Sequence, residues 1–465
     1  MKTAIRIGTL LLLAELALAS AYAQDERANT PAEPAPPLYQ EQSTSKPQPE
    51  EVVPDVNVPD SRPLTGALLL GLGSSDRWRS FLVPSLHFAQ SVDSNPAVND
   101  TSSTNFRGVS TISGSLELQR RTSAREMTLH YSGGGTFFDG DSNAFQHSTL
   151  NSSYHELGFS QSFDFHRWSL LASDAMTYSP EATFGYGSWG NGFDYNRLGL
   201  QPGLLPSQTV LTQHSSRISN TVVGQVQYHL GPRSSLTASG AYGILHFPDG
   251  DFLDGNQINF SAGYNRQLTR RDTVGVAYSY GLFRYSRSPA DLQSHGVQLM
   301  YGRRVTGRLS LQLSGGAQFY STGNVPGSIT RTTWSAGSSA QYRWRRTDLN
   351  LSYLRGVSGG SGVFQGATSD TVQVGASRPL TRRWETSMSF GYSHNADLSQ
   401  KRSFDSQYVS VALHRSLGRY IGTYFSYSLQ RQTSNVPCVG SCSNELLRHV
   451  FGFGFDWRFR PIRLD

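Results

Sequence analysis

The chain has 465 residues, of which 37% are hydrophobic, 16% charged and 11% aromatic, and its formal net charge is +6. Two cysteines exclude a disulfide-rich scaffold and any Cys-built zinc or iron–sulfur site. Beyond the N-terminus no apolar run reaches the ~18 residues of a membrane-spanning helix, which excludes a helical membrane protein.

Met1 to Ala23 reads as a secretory signal. Lys2 and Arg6 supply the charged start, Leu10 to Leu18 a short apolar core, and Ala21-Tyr22-Ala23 a small-x-small cleavage site. Gln24 rather than Cys follows, so no lipid anchor is expected and the mature chain leaves a bacterial cytoplasm. Residues 24–62 are rich in Pro and nearly free of aromatics, with eight acids against Arg27, Lys46 and Arg62. Such a stretch buries too little apolar area to offset its ordering entropy. A disordered periplasmic tail is expected there, with its lead-in running to residue 78, and it offers a handle for a periplasmic partner.

From residue 79 onward the dominant period is two. In 257–268, Ile258, Phe260, Ala262 and Tyr264 alternate with Gln257, Asn259, Ser261, Gly263 and Asn265. Val274, Val276, Tyr278 and Tyr280 repeat the pattern, as do Phe451, Phe453, Phe455, Trp457 and Phe459 near the C-terminus. Strict alternation means strands with one apolar and one polar face. The runs are roughly 11 to 14 residues long, more than the five or six of soluble sheets and enough for a tilted membrane-spanning strand. The polar face is Gly, Ser, Thr, Asn and Gln, and Lys401 is the one lysine after residue 79.

Connections alternate in length. Eight short turns fall near 121–125, 164–167, 231–234, 269–272, 305–308, 345–347, 381–383 and 417–419, separated by nine longer Gly/Ser/Asp/Asn/Pro loops. Together they join eighteen strands, with sixteen as the alternative count, in one antiparallel up-and-down transmembrane β-barrel over residues 79–465. Short turns belong to the periplasmic side and long loops to the outside. Trp168, Trp344, Trp384, Tyr420 and Trp457 lie beside short turns or the chain end, where an interfacial girdle belongs.

These features resemble bacterial outer-membrane β-barrels of the porin-like kind. The opening Val83-Pro84-Ser85-Leu86-His87-Phe88, followed by Ser91-Val92-Asp93-Ser94-Asn95-Pro96, is similar to the start of uncharacterised porin-like barrels associated with exopolysaccharide secretion. The aromatic-alternating last strand resembles the signal read by the barrel-assembly machinery, which the resemblance implies as a partner in biogenesis. This chain departs from that pattern by continuing past Phe459 with Arg460-Pro461-Ile462-Arg463-Leu464-Asp465.

An eighteen-strand barrel is wide enough for an aqueous lumen. The inward positions are small and neutral: Ser113, Ser115, Ser239, Gly243, Ser261, Ser279, Ser387, Ser389, Ser426 and Ser428. Ionisable inward residues are Glu117, His130, Glu156, His229, Arg343, Glu385, His414, Asp456 and Arg458. Of these Glu385, Arg343, Asp456 and Arg458 lie near the short-turn end and form a candidate filter at that mouth. Tyr186, Trp189, Phe193 and Tyr195 in the longest loop, 180–215, are candidates for a constriction or for stacking on sugar rings. Arg120, Arg121, Arg270, Arg271, Arg303, Arg304, Arg345, Arg346, Arg382 and Arg383 crowd the short turns; their forks suit outer-membrane lipid phosphates or a periplasmic partner. Cys438 and Cys442, in the last long loop, are expected to form a disulfide in an oxidising compartment. His130, Ser132, His155 and Asp174 offer loose ingredients for an active site without a motif. Asp174 shares its parity with Trp168 and Leu170, and a bulge turning it inward is expected. No cofactor, metal or nucleic-acid partner is expected.

The sequence therefore points to an outer-membrane channel for passive diffusion of small polar solutes rather than an enzyme. The alternative is a non-conducting binding or structural barrel associated with exopolysaccharide export or a periplasmic partner.

Overall fold

The computed structural model describes residues 63–67, 80–95, 106–138 (without 123), 152–179, 216–248, 252–323 (without 287 and 289), 330–360, 364–399, 401–435 and 445–464. The signal, the tail 24–62, the loop 180–215 with Tyr186, Trp189, Phe193 and Tyr195, and both cysteines, Cys438 and Cys442, lie outside the described residues.

Eighteen long antiparallel strands close on themselves. In chain order they are β1 Phe81–Asp93, β2 Arg107–Arg121, β3 Arg125–Phe138, β4 Ser152–Asp164, β5 Trp168–Ser179 and β6 Arg217–Gly231. Next come β7 Ser234–His246, β8 Gly255–Gln267, β9 Asp272–Tyr285, β10 Asp291–Thr306, β11 Leu309–Gly323 and β12 Arg331–Trp344. The wall ends with β13 Thr347–Ser358, β14 Ala367–Pro379, β15 Trp384–Asp397, β16 Ser403–Ser416, β17 Ile421–Ser434 and β18 Glu445–Arg458. A two-residue β19, Ile462–Arg463, follows. Each strand pairs with its sequence neighbours, and β1 pairs with β18 to complete the ring. The count is eighteen rather than sixteen, and all eight expected short turns separate consecutive strands.

The seam between β1 and β18 is built around two prolines. β18 pairs with Ser85 through Asp93, and β19 resumes the pairing at Phe81 and Leu82. Pro84, which has no N–H to give, sits in the gap, and its carbonyl accepts the Phe459 N–H at 3.0 Å. Pro461 makes the opposing break. The residues after Phe459 thus extend the ladder along the bottom of β1. At the other end of the seam Asp93 Oδ2 accepts bonds from Arg448 Nε (2.8 Å) and Nη2 (2.5 Å), and Asp93 Oδ1 accepts the Asn95 N–H at 2.9 Å. Both members of this pair are almost wholly buried.

The two faces of the wall differ as the alternation requires. Large apolar side chains stand bare on the outside, among them Leu86, Phe88, Val222, Tyr278, Leu299, Leu351, Phe425, Phe451, Phe453 and Phe455. The opposite face carries buried Ser113, Thr237, Ser239, Gln225, Asn265, Ser410, Ser426 and Ser428. An exposed apolar surface of this extent is stable only in contact with lipid. Trp168 and Trp344 beside short turns and Trp457 near the chain end are half exposed on the outer face, and the Arg415 guanidinium lies 5.1 Å from the Trp384 ring centre.

Asp174 corrects the expected bulge. Its register with Phe159 and Val222 is unbroken, so it stays on the outer face, where Asn220 Nδ2 donates to its Oδ1 at 2.9 Å. The local cost of an outward carboxylate is offset by this bond rather than by reversing the side chain. His130 and Ser132 face inward while His155 and Asp174 face outward, so these four do not converge.

Candidate functional site: the lumen and its two obstructions

The middle of the inner wall is made mostly of short neutral side chains, with Tyr154, Glu156 and Tyr424 among them, and several of the short ones bond across strands. Ser85 and Ser115 hydroxyls lie 2.5 Å apart, and Ser239 and Ser261 2.8 Å apart. Cross-strand hydroxyl pairs of this kind follow from two inward serines at one register position.

The candidate filter residues separate into two places. Asp456 on β18 takes His87 Nδ1 at 2.5 Å on one oxygen and His414 Nε2 at 3.3 Å on the other. Glu385 stands opposite His414 in register, so Asp456 and Glu385 flank the same histidine. Arg343, on β12, is instead engaged by Asp348 across the β12–β13 turn, Nε to Oδ1 at 2.8 Å. Arg458 lies on β18 opposite Ser85. Inward charges of both signs therefore lie near the short-turn end, with no arc of one sign. Sequence reading missed His87 because an isolated histidine in an alternating strand carries no motif; only the β1–β18 register brings it to Asp456.

The first obstruction is a piece of the lead-in. Pro63–Ala67 lies against the inner face of β6 to β10 in the short-turn half of the barrel. Pro63 and Gly66 form a tight turn, with the Gly66 N–H donating to the Pro63 carbonyl at 3.1 Å, and proline and glycine are common turn residues. Thr65 is held twice by Asn265. Its N–H donates to Oδ1 at 3.1 Å, and its hydroxyl accepts from Nδ2 at 2.6 Å. The same hydroxyl meets that of Thr237, and the Ala67 N–H donates to Gln225 Oε1. Leu64, 2% exposed, packs on Ala277 and Met300. Sequence reading places these five residues in the lead-in that runs to residue 78 without assigning them a contact; the wall anchors them with matching donors and acceptors that no local sequence pattern reveals.

The second obstruction is at the long-loop mouth. Phe283, Tyr285 and Leu292 from β9 and β10 form an apolar cluster with Tyr320, Val357 and Leu398. Leu398 follows β15, five strands from β10, so this contact runs as a chord across the opening. The Tyr285 hydroxyl donates to the Gly359 carbonyl at 3.1 Å, and Arg331 Nη1 to the Leu398 carbonyl at 3.0 Å. Phe364 stacks on Phe404 at 5.7 Å, with the Arg402 guanidinium 5.4 Å from the Phe364 ring centre. Gly360 and Gly366 turn this connection inward at φ values of 84° and 89°, which side chains rarely adopt. Among the described connections, those after β13 and β15 narrow the mouth; the candidate constriction at 180–215 lies outside the described residues.

Asp397, beyond the apolar belt at that mouth, titrates low. Burial pushes its carboxyl up, but bonds from Ser399 and Arg402 and from the Lys401 N–H outweigh burial and hold it below the ordinary aspartate range.

All ten basic-turn arginines sit at short connections. Arg120 and Arg121 end β2, Arg303 and Arg304 lie near the end of β10, and the other six occupy the turns before β9, β13 and β15. Arg121 faces Glu126 at 3.7 Å and Arg303 faces Asp272 at 3.6 Å. Bonds from Thr269 and Tyr301 lower the Asp272 carboxyl.

A tier of polar pairs on the outer face was not anticipated. Tyr131 pairs with His155, Tyr278 with His295, Tyr427 with His449, Tyr392 and His394 with Asp405, and Tyr353 and Arg355 with Asp370; the His, Asp and Arg members lie in the long-loop halves of their strands, while Tyr131, Tyr278 and Tyr427 reach up from mid-strand. They mark where the wall leaves hydrocarbon for the headgroup layer, since the strands of 12 to 16 residues exceed the ~9–11 that a bilayer requires.

No known family matches the sequence, and no curated protein matches it. Among solved structures, the chain is similar to OccAB4 of Acinetobacter baumannii (8% identity, TM-score 0.42, covering 83% of this chain and 100% of that one). It is also similar to OpdK of Pseudomonas aeruginosa (10%, 0.40, 81% and 99%). A BenF-like porin of Pseudomonas fluorescens gives 8%, 0.41, 83% and 98%. At such identities the likeness carries no function.

Proposed function

We propose that this protein is an outer-membrane channel through which small polar solutes diffuse passively. One observation carries the reading: the closed wall is apolar outside and lined by short neutral hydroxyl and amide side chains inside. Such a lining offers hydrogen bonds to a hydrated solute without a deep electrostatic trap, which suits passage rather than capture. Mixed inward charges such as Asp456 with His87 and Arg343 with Asp348 give no strong preference for one sign of ion. The arginines of the short turns are read as contacts to anionic headgroups on the periplasmic leaflet. Reconstitution in planar bilayers tests the proposal. Stable conductance steps with weak cation–anion selectivity are expected; a correctly folded barrel that never conducts would refute it.

A further inference from the structure

The inner wall of β6 to β10 carries a groove fitted to Pro63–Ala67. Gly263, Gly275 and Gly302 line it, and a Cβ at any of them would crowd the segment. At Gly263 it would lie 2.6 Å from the Thr65 side chain, at Gly275 3.1 Å, and at Gly302 2.7 Å from Leu64. Glycine in a strand interior weakens the strand, and here it marks a close approach of another backbone. The polar anchors are equally specific, because Asn265 reads both the N–H and the hydroxyl of Thr65, and Gln225 takes the Ala67 N–H. The segment crosses five strands within the short-turn half of the lumen, so it narrows the cross-section there. Thirteen residues separate Ala67 from Phe81, a contour length of about 40 Å.

We propose that Pro63–Ala67 is the size-determining element of the channel, a stretch of the protein's own chain seated reversibly in a wall groove that accepts a short Leu-Thr-containing peptide. The proposal rests on the channel reading. With the segment seated, only solutes that fit the remaining lumen pass. With it withdrawn, the size limit is set by the mouth formed by Phe283, Leu292, Phe364 and Leu398.

Three forms of the full chain test this in planar bilayers. They are the unmodified protein, a deletion of residues 63–67, and Thr65→Cys with Thr237→Cys in a background where Cys438 and Cys442 are serine. The deletion is expected to raise unit conductance at least about twofold and to admit larger sugars in liposome swelling. The cysteine pair is expected to form a disulfide in the folded barrel and to keep the unmodified conductance until reduced. A third variant, Gly302→Val, displaces Leu64 from the wall side and is expected to shift conductance in the same direction as the deletion. Equal conductance for the deletion and the full chain overturns the proposal while leaving the channel intact. Failure of the disulfide to form in a heat-modifiable, folded barrel also overturns it. Absence of steps from every form removes the channel reading and the proposal together.

Discussion

Arg448 is where a single substitution should cost most. It reaches from β18 to Asp93 on β1, the seam that joins the first and last long strands. Asp93 is 1% exposed and accepts two bonds from the guanidinium, so removing Arg448 leaves a buried anion that keeps, among the described residues, the Asn95 N–H on its other oxygen. Breaking a buried pair in this way costs about 3–5 kcal/mol, because the survivor keeps its desolvation penalty and loses its compensation. Arg448→Met retains most of the side-chain volume while removing the charge. Asp93→Asn with Arg448→Met removes both charges and keeps an acceptor for the Asn95 N–H; it should cost less than Arg448→Met alone. Urea titration of the barrel in lipid vesicles, followed by Trp fluorescence and by heat-modifiable gel migration, measures both. A loss below about 1 kcal/mol for Arg448→Met, or a double variant whose loss equals the sum of the singles, would show that the seam does not depend on this pair.

Further outcomes follow from the same geometry. Phe453→Arg, on the lipid face, is expected to lower folding stability by about 2–4 kcal/mol, whereas Ser387→Arg, on the inner face, should cost well under 1 kcal/mol; matched vesicle unfolding curves compare them, and similar losses would refute the assignment of faces. Asp397 titrates low in the folded chain, so its contribution is complete above the unfolded aspartate value and disappears as pH falls through the lower folded value. Acidification below about pH 4 should therefore loosen the 397–402 connection. Hydrogen exchange at Lys401 as a function of pH checks this, and exchange that is flat from pH 6 to the acid limit, after correction for intrinsic rates, would count against it. Arg345 holds φ at 53° in the turn between β12 and β13, so Arg345→Gly should be neutral or stabilise by up to about 1 kcal/mol, as read by the unfolding midpoint. A clear destabilisation would mean that its side chain, not its backbone, matters there.

The wall was legible because its physics is local. A strand with lipid on one side and water on the other must alternate, and a short turn must follow within a few residues, so Phe451, Phe453 and Phe455 against Gly452, Gly454 and Asp456 disclose both the fold and the face of each side chain. Asp174 shows the limit of that logic. Parity placed it outward correctly, and the bulge was expected only because its partner Asn220, forty-six positions later, is invisible until β5 and β6 pair.

The lumen was legible only in composition. Serine at Ser239 or Ser426 announces a polar interior, but His87 meets Asp456, Leu398 meets Leu292, and Thr65 meets Asn265 across hundreds of positions or across the width of the barrel. What the amino-acid order determined alone was the cylinder: alternation, strand length and turn spacing act over a dozen residues at a time. What occupies and seals it was decided by tertiary structure, since those contacts exist only after closure brings distant registers face to face.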